Sequence, residues 1–226
     1  MSRNRAIRLA AFDVDGTLIR PDTCCEAIAR PLGRLERMRE FERLSTVAQI
    51  TAARAEMAGW YAGRSHAELC KPLADTTLAP GLYAGFARLR RHGIATALVS
   101  ITWDFAVAWF ARLLNADYYV GTNLAASGTI THFWPEDKAR WIRALASDLD
   151  SGLDQVAAVG DSAGDVPMLQ TVGLPLFVGQ VLPPGLSAVT HVPAGDIDRI
   201  ARGIIAAGDD RISAESGRIF PASTGS

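Results

Sequence analysis

Three short apolar runs stop at polar residues, and long stretches of helical pattern separate them. The runs are Ile7 to Phe12, Ile94 to Val99 and Val156 to Val159, and they close at Asp13, Ser100 and Gly160-Asp161. Runs of that length, bounded by turn or charged residues, suit strands buried on both faces. Strands that alternate with helices imply an α/β fold of Rossmann-like type, a mainly parallel sheet with helices on both faces. Open sheets of this kind bind ligands at the carboxyl edge of their strands, so the three polar strand ends are expected to share one rim.

The first strand end is the densest in chemistry. Phe12-Asp13-Val14-Asp15-Gly16-Thr17-Leu18 sets two carboxylates on either side of one residue where the chain leaves the sheet. Unpaired carboxylates are costly to bury. Two this close must share a cation, take different protonation states, or point into water. Asp, Gly and Thr are also ordinary turn residues, and a plain loop remains an alternative for the pair taken alone. The third strand end adds Asp161 and Asp165, and Lys138 stands at the start of the helix before it. Ser100 by itself is more often a helix cap, since helical sequence from Trp103 to Leu114 follows. Three carboxylates at one rim make a hard oxygen site suited to Mg²⁺; a lysine, a hydroxyl and backbone N–H groups nearby complement a phosphoryl group.

Residues 20–79 lack strand alternation and are rich in Ala, Arg, Glu and Leu. They read as helices punctuated by Gly33, Gly59 and Gly63. The expected organisation is an α/β core over 1–19 and 80–207, an inserted all-helical cap over 20–79, and a polar tail over 208–226 that is expected to be disordered. A Ser127-Gly128 turn signal predicts a hairpin within 123–133, and amphipathic sequence predicts a last helix over about 196–207.

Composition removes several functions. With 23 basic and 24 acidic residues the net charge is −1, so no overall field draws the chain to nucleic acid or an anionic membrane, and the expected partner is a small molecule. Cys24, Cys25 and Cys70 form neither a disulfide framework nor a metal motif, and no run approaches membrane-spanning length; a cytoplasmic location is expected. Neither GxGxxG nor GxxxxGK occurs. A calcium loop begun at Asp13 fails as well, with Leu18 and Cys24 where it needs Gly and Glu.

Taken in order, Asp13-Val14-Asp15-Gly16-Thr17, Ser100 after an apolar strand, Lys138, and Gly160-Asp161-Ser162-Ala163-Gly164-Asp165 resemble the four motifs of the haloacid dehalogenase superfamily. The match spans residues 6 to about 192. The helical insert directly after the first motif, and the Asn123 to Thr131 segment, are similar to the phosphoserine phosphatase-like branch. The resemblance implies a Mg²⁺-dependent phosphomonoester hydrolase that works through an aspartyl-phosphate intermediate, with phosphoserine the branch's substrate. It makes Asp13 the nucleophile and Asp15 the acid and base. Mg²⁺ would be held by the Asp13 side chain, the Asp15 main-chain carbonyl and the Asp161 side chain, with Asp165 supporting the metal shell or Lys138. Ser100, with Ile101 beside it, and Lys138 would bind the phosphate side of the substrate, and Thr17 would orient the Asp13 loop.

The chain departs from that branch in its substrate contacts. Ile101 and Thr102 stand where two glycines are usual, and Gly164 stands where an Asn is usual. For the substrate's amino group, Asp22 takes the place of a Glu nine residues after the nucleophile. For its carboxylate, Arg54 is the candidate among the insert's many arginines. The alternatives are a phosphatase for another small phosphomonoester, a phosphotransferase that passes the group to a second alcohol, and a non-catalytic metal or phosphate-binding module. Oligomeric state is not legible in these residues.

Overall fold

The computed structural model describes residues 6–216, with side chains through residue 207. From β1 (Leu9–Phe12) the chain enters a helical insert: α1 (Cys24–Ala29), α2 (Leu35–Phe41), α3 (Val47–Tyr61), α4 (His66–Cys70) and a 3-10 turn over Lys71–Asp75. It then alternates through α5 (Leu82–Arg91), β2 (Ala95–Trp103), α6 (Asp104–Leu114), β3 (Tyr118–Leu124), β4 (Ile130–Thr131), α7 (Pro135–Asp148) and β5 (Val156–Gly160). The remaining elements are α8 (Val166–Leu169), β6 (Leu174–Phe177), β7 (Thr190–His191) and α9 (Ile197–Ser216). The sheet order is β4-β3-β2-β1-β5-β6-β7, parallel throughout except for the β3–β4 hairpin.

Register explains why the three strand ends meet. Phe12 of β1 lies level with Leu98 of β2 on one side and Val159 of β5 on the other. Asp13 therefore leaves the sheet beside Val99 and Gly160, with Ser100 and Asp161 one residue beyond. The chain winds from β1 toward β4 on one side and resumes with β5 on the other, so β1 and β5 flank the point where strand order reverses, the ordinary ligand crevice of such sheets.

Both faces of β1 are covered, which is why its sequence is apolar without alternation. Ala10 and Phe12 face α5, α6 and α9, and the Phe12 and Phe86 rings lie 4.9 Å apart. Leu9 and Ala11 face α7 and α8, packing with Ile142, Leu145 and Met168. A side chain as fully buried as Leu9 or Phe12 contributes about 1.5–3 kcal/mol relative to exposure.

The insert leaves and rejoins the sheet as a pair of adjacent segments. Ile19 and Leu78 form an antiparallel bridge, flanked by Arg20 N–H to Thr77 O at 3.1 Å and Ala79 N–H to Leu18 O at 2.8 Å. Its buried Met38, Phe41, Met57 and Tyr61 belong to the same apolar cluster as Trp103 and Phe105 of the sheet side. Thr23 caps α1 by accepting from the Glu26 N–H while the Glu26 side chain accepts from the Thr23 N–H, a reciprocal arrangement that satisfies two otherwise open donors.

Three expectations change. Gly59 does not punctuate the insert: it lies inside α3, whose fifteen residues run through it with the Thr46 side chain as the cap. Gly33 and Gly63 do sit in turns, both with positive φ. Second, β2 continues past Ser100 to Trp103, with an irregularity in its pairing to β3 between Val99 and Trp103, so Ser100 is not the cap of α6. Its side chain is instead buried within the strand, 1% exposed. Third, α9 runs to Ser216 rather than ending near 207, because a helix already nucleated on the core extends at little cost through residues such as Ala, Arg and Glu. The rest of the expected tail, 217–226, lies outside the described residues. Among the described residues no helix is long and apolar enough to cross a membrane.

Candidate active site

Lys138 organises the rim. Pro135 opens α7, and the Asp137 carboxylate accepts from the Trp134 N–H at 2.8 Å, which sets the first turn and aims the next residue inward. Lys138 is 2% exposed, and its ammonium donates to Asp13 Oδ1 at 2.7 Å and to Asp165 Oδ1 at 2.6 Å. A lysine at this position would ordinarily be a solvated surface charge; here it is the cation between two buried acids.

Asp165 is fully buried and both of its oxygens are engaged. Oδ2 accepts from the Asp161 N–H at 3.0 Å, the Ser162 N–H at 3.1 Å and the Ser162 hydroxyl at 3.2 Å. It thereby shapes the loop after β5 while fixing the lysine. Thr17 ties the two loops together, its hydroxyl donating to Asp161 Oδ1 at 3.0 Å. Thr17, expected to orient the Asp13 loop, makes this contact across the gap to Asp161. Gly16 is required between them. Its φ is +78°, and a Cβ there would lie 2.1 Å from Asp161 Oδ2.

Asp13, Asp161 and Asp165 each offer a carboxylate oxygen, and these oxygens all lie within 4.8 Å of one another. Burial raises the Asp13 carboxyl well above the usual range and nearby Asp165 adds to this, although Lys138 opposes it. Asp161 is raised to about 6, chiefly by burial and then by Asp165. Burial works against the Lys138 ammonium, but Asp13 and Asp165 outweigh it and hold the lysine charged. Three acids thus share one fixed cation. The donor set fits a divalent ion bound through oxygen: one more source of positive charge would relieve the repulsion, and Asp13 Oδ2 and Asp161 Oδ2 have no hydrogen-bond donor among the described residues. The Asp15 side chain is not part of this triad.

Asp15 instead accepts from the Cys24 N–H at 2.6 Å through Oδ1. Burial raises its carboxyl above the usual value while that hydrogen bond opposes the shift, a balance that favours a proton-holding acid. Asp15 lines a cavity of about 190 Å³ between the insert and the end of β2, together with Met38, Phe41, Glu42, Arg54 and Trp103.

The residues expected to contact substrate are dispersed. Ser100 follows Asp13's level in the register, and its Oγ accepts from the Thr102 N–H at 3.4 Å. Ile101 lines the cavity, but its carbonyl is already engaged by Thr122 Oγ1 at 2.9 Å and Arg54 Nη2 at 2.8 Å. Arg54 is brought to the cavity and is only 7% exposed. Its Nη2 also donates to Phe133 O at 3.2 Å, its Nη1 lies 3.1 Å from His132 Nδ1, and its guanidinium stacks 4.6 Å from the Trp134 ring centre. Asp22 is not brought there. It pairs with Arg30 and faces a different groove, beside Lys71, Pro72 and Asp75. Asp22 precedes the Thr23 cap of α1, and Arg30, the residue that closes the same helix, lies within ion-pair reach of it.

Glu42 is the site residue that sequence reasoning missed. It follows α2 in an Arg- and Glu-rich stretch that resembles any solvated face, and only folding sets it against the cavity, where its Oε1 accepts from the Thr23 hydroxyl at 2.8 Å. Desolvation raises its carboxyl to about 7.

A doubly wound sheet with four acids and one buried lysine at its switch point defines an acidic centre built to hold an anion through cations. The chain belongs to the haloacid dehalogenase-like hydrolase family, whose model matches residues 10–170. Among curated proteins it is similar to the phosphoserine phosphatase of Streptomyces coelicolor, 27% identical over an alignment of 179 residues that covers 75% of this chain and 43% of that protein. A phosphoserine phosphatase of Mycobacterium tuberculosis is likewise 27% identical over 179 residues, 44% of its length. The chain thus spans less than half the length of these curated relatives. Its fold matches a solved phospho-aspartyl intermediate analogue of phosphoserine phosphatase with a TM-score of 0.73 at 20% identity, covering 88% of this chain and 99% of that one. A Salmonella family hydrolase of known structure gives a TM-score of 0.74 at 21% identity, over 89% and 72% of the two chains.

Proposed function

We propose that this chain is a Mg²⁺-dependent phosphomonoester hydrolase that works through an aspartyl-phosphate on Asp13. The observation that carries the reading is the Asp13–Lys138–Asp165 chain at the carboxyl end of β1, with Asp161 completing a triad of acids and Asp15 held apart from it. One carboxylate oxygen of Asp13 attacks phosphorus in line. The bond to the ester oxygen breaks, and Asp15 delivers its proton to the departing alcohol. Asp15, now charged, removes a proton from water, which attacks the same phosphorus and frees the Asp13 carboxylate and inorganic phosphate. Lys138 and Ser100 face the phosphoryl oxygens. Mg²⁺, held by Asp13, Asp161 and the Asp15 carbonyl, would neutralise charge on the transferring group, which is most of what phosphoryl transfer asks of a protein.

The helical insert over 20–79 serves as the cap of this site, joined by the paired crossings at Ile19 and Leu78, and supplies the walls that exclude water around the leaving group. The names of the two curated relatives support a small phosphomonoester as substrate. The free, buried state of Cys24, Cys25 and Cys70 supports a reducing compartment such as the cytoplasm.

Phosphate release from a panel of small phosphomonoesters, with Mg²⁺ and after its removal by EDTA, tests the reading. Turnover should need the metal, and Asp13→Asn should abolish both turnover and the acid-stable, hydroxylamine-sensitive phosphate on the protein. Metal-independent release, or full activity of Asp13→Asn, would sink it. A phosphotransferase is separated by adding an acceptor alcohol and asking whether phosphate release falls as phosphorylated acceptor appears.

A further inference from the structure

We infer that the substrate of this site carries its phosphate on a small apolar group rather than on an amino-acid or other zwitterionic skeleton. The inference rests on the phosphatase reading, because it takes Asp15 as the acid that meets the leaving oxygen. That oxygen must come within hydrogen-bond reach of the Asp15 carboxyl, so the carbon skeleton behind it occupies the cavity that Asp15 lines. Beyond Asp15 the walls are chiefly apolar: Met38 and Phe41 from α2, Leu44 from the turn after it, Ile50 and Met57 from α3, and Trp103 from the end of β2. At about 190 Å³ the space is smaller than the roughly 300–1,000 Å³ pockets that take drug-sized ligands, which limits the group to a few carbon atoms.

A zwitterion would need a free cation and a free anion in that space, since burying either charge unpaired is costly. Neither is available in the form the branch uses. Arg54 lines the cavity, but three of its N–H groups are already directed to the Ile101 and Phe133 carbonyls and the His132 ring, both of Nη2 and one of Nη1. Asp22 is paired with Arg30 in another groove. The one carboxylate besides Asp15 among the lining residues, Glu42, accepts from Thr23, and the only lysine or arginine lining the cavity with it is Arg54. Ile101 and Thr102 add side chains where a bare backbone would lie against a polar substrate. The departures from the branch thus point the same way: the phosphate end is kept and the charged end is replaced by hydrocarbon.

Binding can be read without turnover. The Mg²⁺-loaded protein is titrated calorimetrically with the alkylphosphonates from methyl to butyl, with 2-aminoethylphosphonate, and with 2-amino-3-phosphonopropionate, the phosphonate that mimics phosphoserine. Affinity should rise about two- to fourfold with each methylene. Butylphosphonate should bind at least about tenfold more tightly than either amine-bearing probe. A flat alkyl series, or tighter binding of 2-aminoethylphosphonate or 2-amino-3-phosphonopropionate, overturns the inference. Ile50→Glu, with its fold checked by circular dichroism, should flatten the series; a series as steep as that of the unaltered protein would also overturn it. Turnover is measured separately on butyl phosphate and phosphoserine. If neither is hydrolysed while the binding series holds, the phosphatase reading falls and the apolar pocket stands.

Discussion

The Lys138 ammonium lies 2.6 Å from the carboxylate of Asp165, in a place where both side chains are closed to water. The same ammonium reaches Asp13 at 2.7 Å, so one cation fixes the proposed nucleophile to the residue that shapes the neighbouring loop. Removing it leaves Asp165 and Asp13 buried with no cation between them. Lys138→Met is expected to cost about 3–5 kcal/mol in urea unfolding without metal, together with a loss of phosphate release of at least about a hundredfold. Lys138→Arg should not restore activity, because a planar fork cannot replace a compact ammonium between two carboxylates. A stability loss below about 1 kcal/mol would mean that the pair is not the organising contact.

Gly16 stands between the two acidic loops with φ +78° and no room for a methyl group. Gly16→Ala would place a Cβ 2.1 Å from Asp161 Oδ2 and push that carboxylate off Thr17. We expect a stability loss of about 1–2 kcal/mol from the backbone alone and a fall in Mg²⁺ affinity of roughly 10–100-fold. Isothermal titration with Mg²⁺ reads the second effect; an unchanged affinity would show that Asp161 does not serve the metal.

Arg54 joins α3 to the ends of β2 and β4 through two carbonyls, His132 and the Trp134 ring. Burial lowers its basicity, and no carboxylate among the described residues pairs with it, so we propose that it holds the insert against the sheet. Arg54→Lys retains the charge but cannot reach both carbonyls from one ammonium. Amide exchange over residues 47–61 should quicken, and KM should rise more than kcat falls. Unaltered exchange in α3 would count against the clasp.

Glu42, exposed yet lining the cavity, adds a pH dependence to the fold. Desolvation lifts its carboxyl from 4.5 to about 7, so across that window the native protein keeps a proton that the unfolded chain has released. Stability contributed by the protonated form is therefore lost as pH rises from about 4.5 to 7, and changes no further above that. Glu42→Gln should show a smaller fall in Tm between about pH 5 and pH 8 than the unaltered protein. Parallel Tm profiles would place the titration elsewhere.

The apolar runs ending at Asp13, Ser100 and Asp161 were enough to predict a parallel sheet with those residues at one rim, because a strand buried on both faces must be apolar and its first polar residue marks its exit. Their order also carried the family resemblance that residues 10–170 bear out. What local pattern could not settle lies in the insert. Nothing in an Arg- and Glu-rich helical sequence distinguishes Arg54, Arg30 and Glu42, since each has the composition of a solvated face. Only packing against β2 and β4 buries Arg54 and spends its donors on carbonyls, and only folding of the insert sets Glu42 beside the apolar side chains of the cavity. The sequence by itself therefore determined the sheet and the acids at its rim, because those follow from where hydrophobic strands stop, whereas only the family resemblance pointed to Lys138. The tertiary structure decided which charges of the insert are free to meet a substrate, because that depends on partners far apart in the chain.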